Sequence, residues 1–457
     1  MENKVIKVAV ASLGCSKNLI DSEQMMANLR NNGFELWENE EDADVIIVNT
    51  CTFIEDARVE SIHCILEMAQ YKKSGKAKLL VVTGCMAQRY KEQILSEIPE
   101  VDLVLGTNDY NKIAAKINEL LGSAEDTDNP DEPAVMKNEN VYCSDTPLLL
   151  EYDRVRTTPK YTAYLKIAEG CDNRCTYCVI PSIRGRYRSR KIEDIISEAE
   201  KMAQDGVKEI IVIAQDTTRY GIDLYGEYRL PQLLSELCRI DGISWVRVHY
   251  CYPELVTDEL IDVFAREDKL CKYFDIPIQH CNDRILKLMG RRTNKEQIVT
   301  LINKLRERIP NVVIRTSLIV GFPGETEEEF DELCDFVSEM RFDRMGAFTY
   351  SREEDTPAYS MKNQVDEEEK RRRQEVIMVT QAEVDDENTA AKIGTTAEVL
   401  VEGRDEIIKS YFGRTYADSI EIDGKVFFKS DRKLSEGDFV NVKIEQAMDM
   451  DLFGTED

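Results

Sequence analysis

Three cysteines stand in "EGCDNRCTYCVIPSIRGRYRSR" (residues 169–190): Cys171, Cys175 and Cys178, spaced C-x₃-C-x₂-C. Thiolates at that spacing can grip three corners of a cubane [4Fe–4S] cluster, which normally takes four cysteines. The fourth iron is then open to a small ligand. Half a zinc site, or three buried thiols, is the competing reading. Zinc wants a closed set of four N/S ligands, and no fourth cysteine lies near; the histidines are His63, His249 and His280. A second set is dispersed: Cys15, Cys51 and Cys85 each end a β-branched run, "KVAVASLGC", "DVIIVNTC" and "KLLVVTGC". In a parallel sheet, ligands bind outside the carboxyl ends of the strands. Free cysteine is often simply buried, but three in register favour convergent thiolates and a second cluster with an open iron.

These residues must be positioned by regular elements. From residue 5 to about 120, short β-branched runs alternate with amphipathic stretches such as "SEQMMANLRNNG" and "EDARVESIHCILEMAQYKKSG". That alternation predicts an α/β domain with a parallel sheet. The acidic, turn-rich "GSAEDTDNPDEPAVMKNEN" then reads as a break. From about 156, six larger strand–helix units predict a (β/α) barrel, partial or complete, with its site at the strands' carboxyl ends. The charged stretch from Val365 predicts a helix stopping near Gly394, and the short strands after it predict a small antiparallel β-barrel. The expected division is an N-terminal α/β domain over 1–142, a linker over 143–155, the barrel over 156–390 and the β-barrel over 391–457.

The chain has 457 residues, enough for two to four cores. Its apolar runs are too short to cross a membrane, and the N-terminus has no apolar h-region with a cleavage site. Both predict a cytoplasmic protein, where cysteines point to metal before disulfides. With 59 basic and 87 acidic residues the net charge is −28, which repels polyanions and attracts basic proteins. Solubility alone is the plainer account of that charge.

The C-x₃-C-x₂-C spacing with an aromatic, Tyr177, before the last cysteine resembles the radical S-adenosylmethionine (SAM) superfamily. The resemblance implies that SAM chelates the open iron and is cleaved by an electron from the cluster to a 5′-deoxyadenosyl radical, which abstracts hydrogen from an unactivated carbon. It also implies that "AQD" (Ala214, Gln215, Asp216) lies near the SAM amino group, and that "SLIVGFPGE" (317–325), with Gly321, lies near adenine. Ser317 replaces a glycine of that pattern and Glu325 falls one position late; a Pro-Gly turn is the alternative for "GFPGE". Tyr177, Gln215, Asp216 and Gly321 are thus the expected cofactor-binding residues. No side chain is expected to be catalytic itself, because SAM and the clusters carry the radical chemistry.

Adding the N-terminal cysteines and a C-terminal module similar to a TRAM domain, the whole chain resembles the methylthiotransferase family, which replaces C–H by C–S–CH₃. The resemblance implies two [4Fe–4S] clusters facing each other, two roles for SAM, a sulfur donor, and a reductant such as flavodoxin or ferredoxin. "LGCSKNLIDSE" (13–23), "RVHYCYP" (247–253) and "DIPIQHCNDRILKLMGRR" (275–292) resemble the branch that modifies the β-carbon of an aspartate in small-subunit ribosomal protein S-twelve. The alternative is the branch that modifies adenosine in tRNA. Residues 393–457 hold 8 basic and 15 acidic residues, a poor surface for phosphates. Stable tRNA binding is therefore not expected, and acids such as Asp418, Glu421 and Asp423 are expected to meet a basic protein. "RGRYRSRK", with five positive charges from Arg184 to Lys191, is the exception: it suits RNA, the substrate aspartate, SAM's carboxylate or plain solvent. His249, Gln279 and His280 are expected near the pocket. Cys64, Cys143, Cys238, Cys251, Cys271, Cys281 and Cys334 match no ligand pattern and are expected to be structural.

Overall fold

In the computed structural model, which describes residues 5–125, 140–145 and 153–457, the chain divides into two compact units. The first takes residues up to 157 together with 169–173 and 178–187; the second takes the rest. Most of the acidic break and of the expected linker, at 126–139 and 146–152, lies outside the described residues.

The β-branched runs of the first unit form six parallel strands: β1 (Lys7–Ser12), β2 (Glu35–Leu36), β3 (Val45–Thr50), β4 (Leu79–Gly84), β5 (Leu103–Leu105) and β6 (Val141–Tyr142). β3 and β4 are buried at every position, as strands covered on both faces must be. Their alternate residues feed two cores. Ile46, Val48, Leu80 and Val82 pack with Ile65 and Met68 of helix Glu55–Ser74. Val45, Ile47, Leu79 and Val81 pack with Met25 and Leu29 of helix Ser16–Asn31 and with Ile113. The spatial order is β2-β1-β3-β4-β5-β6. Strand order therefore reverses between β1 and β3, and such a switch point leaves a crevice at the carboxyl ends.

The second unit holds β7 (Thr162–Lys166), β8 (Glu209–Ile213), β9 (Trp245–Val248), β10 (Leu270–Asp275), β11 (Val313–Val320) and β12 (Arg344–Thr349). They pair in parallel, in sequence order, and β7 and β12 are the two edges, so the barrel is partial. Helix Glu367–Ala390 follows, ending just before Gly394 as expected. Then β13 (Thr396–Asp405), β14 (Ser410–Arg414), β15 (Val426–Lys429), β16 (Phe439–Met448) and β17 (Asp451–Glu456) close a small barrel. It is antiparallel except for β15 beside β17, which run parallel.

The small barrel and the loop after β14 are fastened to the partial barrel by buried charge. Glu209 accepts from Arg414 at 2.6 Å and from Arg247 at 2.8 Å. Burial alone would raise the Glu209 carboxyl, but the two guanidinium groups hold it at about 2. Arg344 donates to Asp418 at 2.6 Å, and the Tyr273 hydroxyl donates to Asp423 at 2.7 Å. Two of the three acids expected to greet a basic partner are thus committed inside the fold; of the three only Glu421 is exposed. An ion pair satisfied internally cannot also be offered to a partner.

His249 is placed by the same loop. Its Nε2 lies 3.0 Å from the Ser419 hydroxyl and its ring is buried near Tyr273, so it serves the packing of the two barrels and not a pocket. Burial pushes its imidazole, like that of His280, down to about 4 from 6.5. Each ring is therefore neutral when folded but protonates near pH 6.5 when unfolded. Their contribution is complete above pH 6.5 and is lost as pH falls toward 4. Stability is expected to drop by about 2 kcal/mol per histidine between pH 7 and pH 5. Denaturant melts at the two pH values should show a smaller drop in His249→Gln; an equal drop would contradict the linkage.

Candidate functional site

The three N-terminal cysteines follow β1, β3 and β4, neighbours at the switch point. Cys15 is the N-cap of helix Ser16–Asn31, and Cys85 opens helix Cys85–Tyr90. The backbone N–H of Cys51 donates to the Ser61 hydroxyl at 3.0 Å, and that hydroxyl donates back to the Cys51 carbonyl at 2.9 Å. Gly14, at φ +87°, passes so close that a Cβ there would sit 2.6 Å from Cys51 Cβ and 2.9 Å from its sulfur. The loops carrying Cys15 and Cys51 therefore touch.

Asn18 binds the loops together. Its amide donates to the carbonyls of Leu13 at 3.0 Å and Thr50 at 2.8 Å. That fixes its Oδ1 toward Cys85, whose thiol donates to it at 3.6 Å. Burial pushes the Cys85 thiol up to about 12, against the opposing pull of Arg184. Burial raises Cys51 as well. Such thiols stay protonated until a metal displaces the proton. Among the described residues, no three His, Cys, Asp or Glu side chains are grouped to hold one ion. A cubane gives each thiolate a separate iron and makes no such demand. Three thiols around one crevice, with glycine-tight approach and a neighbouring cation, fit a cluster better than zinc.

The C-x₃-C-x₂-C loop contributes Cys171 and Cys178 to the first unit and Cys175 to the second. The Cys171 N–H donates to the Gly185 carbonyl at 3.1 Å, and the Asn173 N–H donates to the Cys171 sulfur at 3.4 Å. After Cys178, Val179 and Ile183 pack against Cys85. In the second unit the Tyr252 hydroxyl lies 3.7 Å from the Cys175 sulfur. Arg291 stacks on the Tyr252 ring at 4.4 Å and donates to the Pro277 carbonyl at 2.8 Å. Thr176 is held by its N–H on the Met289 carbonyl and its hydroxyl on the Leu288 carbonyl.

The remaining expected residues lie near carboxyl ends of the partial barrel, with different occupations. Asp216 is buried; it accepts from the Thr218 hydroxyl at 2.6 Å, and Thr218 accepts from the Tyr252 N–H at 3.1 Å. It therefore holds the loop after β9 that presents Tyr252. Gln215 is half-buried beside it. Tyr177 packs partly buried against Ile285, Met289, Phe322 and Tyr350. Gly321, at φ +72°, has Lys370 where a Cβ would go. Its N–H and that of Phe322 donate to Glu325, which also pairs with Arg373 at 2.9 Å. "GFPGE" is thus a turn closed by its own glutamate.

His280 is fully buried and accepts the Asn282 N–H at 2.9 Å, so it shapes the turn and not an open pocket. Gln279 is half-buried in a left-handed conformation at φ +72°. Cys251 and Cys281 are buried, beside the Thr217 hydroxyl and the Glu332 carbonyl. The basic run is dispersed: Arg184 and Arg190 are buried in ion pairs with Asp21 and Glu198, and Arg186 is exposed. Sequence reasoning did not single out Asn18, Tyr252 or Arg291. All three stand in the stretches "LGCSKNLIDSE", "RVHYCYP" and "LMGRR", but nothing in their types reveals what they contact.

The uncharacterized protein family UPF0004 matches residues 7–106, the radical SAM superfamily residues 165–337 and the TRAM domain residues 393–456. A Clostridioides difficile protein named ribosomal protein uS12 methylthiotransferase RimO is 52% identical over 450 residues, 98% of each chain. The protein of that name from Lachnoclostridium phytofermentans is 52% identical, over 98% of this chain and 100% of its own. Among solved structures, the radical S-adenosylmethionine methyltransferase TsrM from Kitasatospora setae, with cobalamin and a [4Fe–4S] cluster bound, has a TM-score of 0.57. It covers 78% of this chain and 77% of its own at 17% identity, a likeness of fold alone.

Fold and site together define a radical SAM enzyme, one that uses SAM and [4Fe–4S] clusters and carries a TRAM barrel. The chain belongs to the RimO family of methylthiotransferases.

The close approach at Gly14 is testable on its own. Gly14→Ala must hold a left-handed backbone, at ~1–2 kcal/mol, and must also push Cys51 aside. Denaturant melts should show a loss above that backbone cost, and alkylation of the iron-free protein should find Cys51 more reactive. An unchanged Cys51 would contradict the contact.

Proposed function

We propose that the protein transfers a methylthio group to the β-carbon of an aspartate in ribosomal protein S-twelve. Near-full-length identity of about half to relatives named for that protein supports the target. The observation that carries the chemistry is the meeting of three cysteine loops at the switch point of the first sheet, on a chain that also has the three-cysteine loop of radical SAM enzymes. Cys171, Cys175 and Cys178 would hold the radical cluster, and Cys15, Cys51 and Cys85 the second. When bound, SAM and its cluster supply a radical able to take hydrogen from an unactivated carbon, and the second cluster supplies a seat for the transferred sulfur.

The chain's own part is to orient and to exclude water. Tyr177, Gln215 and Gly321 are assigned to the border of the SAM site, with Asp216 acting through Thr218 and Tyr252. Their place after barrel strands supports this. We assign the domains as 1–142, 143–155, 156–390 and 391–457. A low-potential reductant such as flavodoxin or ferredoxin and a sulfur donor complete the reaction, and we place it in the cytoplasm. Among the described residues, no helix is long and apolar enough to cross a membrane.

Anaerobically reconstituted enzyme should hold about eight irons, from two four-iron clusters. Replacing Cys171, Cys175 and Cys178 by alanine should leave about half the iron and abolish 5′-deoxyadenosine. Replacing Cys15, Cys51 and Cys85 should retain 5′-deoxyadenosine but abolish methylthio transfer. Full product from the latter variant would overturn its assignment.

The partner is tested by mass spectrometry of S-twelve after turnover, beside a tRNA control. The internal commitment of Asp418 and Asp423 moves any docking role to exposed acids. Glu421, Glu436 and Glu445 are exposed on the TRAM barrel. Complementary charge acts mainly on the association rate. Reversing these three to lysine should slow capture of S-twelve at low salt and leave SAM cleavage intact. Salt-sensitive tRNA binding by the unmodified enzyme, with no modification of S-twelve, would favour the tRNA-adenosine reading.

A further inference from the structure

We infer that Arg184 sets the reduction potential of the N-terminal cluster through a hydrogen bond to the Cys85 sulfur; this rests on the assignment of Cys15, Cys51 and Cys85 as ligands. Arg184 ends helix Ile180–Arg184 and is 3% exposed. Its Nη2 donates to Cys85 Sγ at 3.3 Å and to Asn18 Oδ1 at 2.6 Å. Its Nη1 donates to Asp21 Oδ2 at 2.5 Å and faces Glu169 Oε2 at 3.4 Å.

This is not the arrangement of a guanidinium placed only for an ion pair. A carboxylate partner favours a bidentate fork that uses two nitrogens. Here one nitrogen serves the carboxylates and the other is turned to a thiol and to the amide that ties the cysteine loops together. Asn18 cannot turn its oxygen away, because its nitrogen is held by the carbonyls of Leu13 and Thr50. The Arg184 N–H is therefore aimed at the ligand end of the site.

Adding one electron to a cluster adds one negative charge to its core and thiolates. A fixed cation and an N–H on a ligand sulfur stabilise the reduced form more than the oxidised form, so they raise the potential; hydrogen bonds to sulfur and net charge are known levers. Burial strengthens the effect by lowering the local dielectric. Asp21 and Glu169 oppose it, so the site is a balance in which either sign can be removed separately.

The test uses full-length, anaerobically reconstituted enzyme titrated with dithionite and mediators, followed by electron paramagnetic resonance. The N-terminal component is the one missing from the Cys15/Cys51/Cys85→Ala variant. Arg184→Gln removes the cation and the N–H on the Cys85 sulfur and leaves the two carboxylates. It should keep its iron, while the reduced-to-oxidised ratio of that component falls at least tenfold at fixed potential, ~59 mV for a one-electron couple. Asp21→Asn alone should shift the potential upward. Retained iron with an unmoved potential in both variants would overturn the inference. So would loss of the N-terminal iron from both, which would make Arg184 a structural residue. If the Cys15/Cys51/Cys85→Ala variant keeps all the iron of the unmodified enzyme, the ligand assignment itself has failed.

Discussion

Parallel pairing is the constraint on which the first unit depends. It sends the carboxyl ends of β1, β3 and β4 to one edge, so cysteines 36 and 34 residues apart in sequence become neighbours without any disulfide or local motif. β-Branched, doubly buried strands secure the register, since a slip by one residue would exchange the two cores. Asn18 then converts rough proximity into a fixed frame, because its side chain satisfies backbone carbonyls of two cysteine loops and leaves one oxygen for the third. The glycines before Cys15 and Cys85 serve the same end. Gly84, at φ +93°, lies where a Cβ would fall 2.3 Å from Asn49 Oδ1.

What the sequence revealed follows this division between periodicity and contact. Alternating strand and helix patterns are carried by every residue of an element, and so the α/β first unit, the partial barrel and the terminal β-barrel were legible. The parallel pairing of β15 with β17 was not, because short strands carry no mark of direction. Cysteines were legible as a set, since their chemistry is rare and their positions after strands repeat. Charges misled, because an acidic or basic residue has the same letter whether it meets water or a buried counter-ion. Asp418 and Asp423 were expected at a surface and instead face Arg344 and Tyr273. Arg184 and Arg190 stood in a basic run and are each spoken for inside the fold.

The burial of these charges has a physical source in the second unit. The interior of the partial barrel near its junction with the TRAM barrel is polar, with Glu209, Arg247, Asp275 and Arg315 among its buried or nearly buried groups. Isolated burial of any one would cost several kcal/mol. The end of β14 and the loop after it answer with Arg414, Asp418, Ser419 and Asp423, so each charge meets an opposite charge or a hydroxyl. A buried ion pair is seldom a net source of stability compared with apolar packing, but removing one partner is costly. The TRAM barrel is therefore matched to this particular radical fold by electrostatics, and its surface charge must be counted after those internal groups are set aside.

The same accounting bears on the proposed ligation of a cluster by Cys15, Cys51 and Cys85. Burial disfavours thiolate at Cys51 and Cys85, yet ligation requires it. The first unit opposes this with the backbone N–H groups of Phe53 and Thr52 at Cys51 and with the Arg184 guanidinium at Cys85. On the proposed assignment of these cysteines as cluster ligands, too little positive charge would leave thiols that resist loading, and too much would favour the reduced cluster. A single cation shared between a sulfur and two carboxylates lies between those limits.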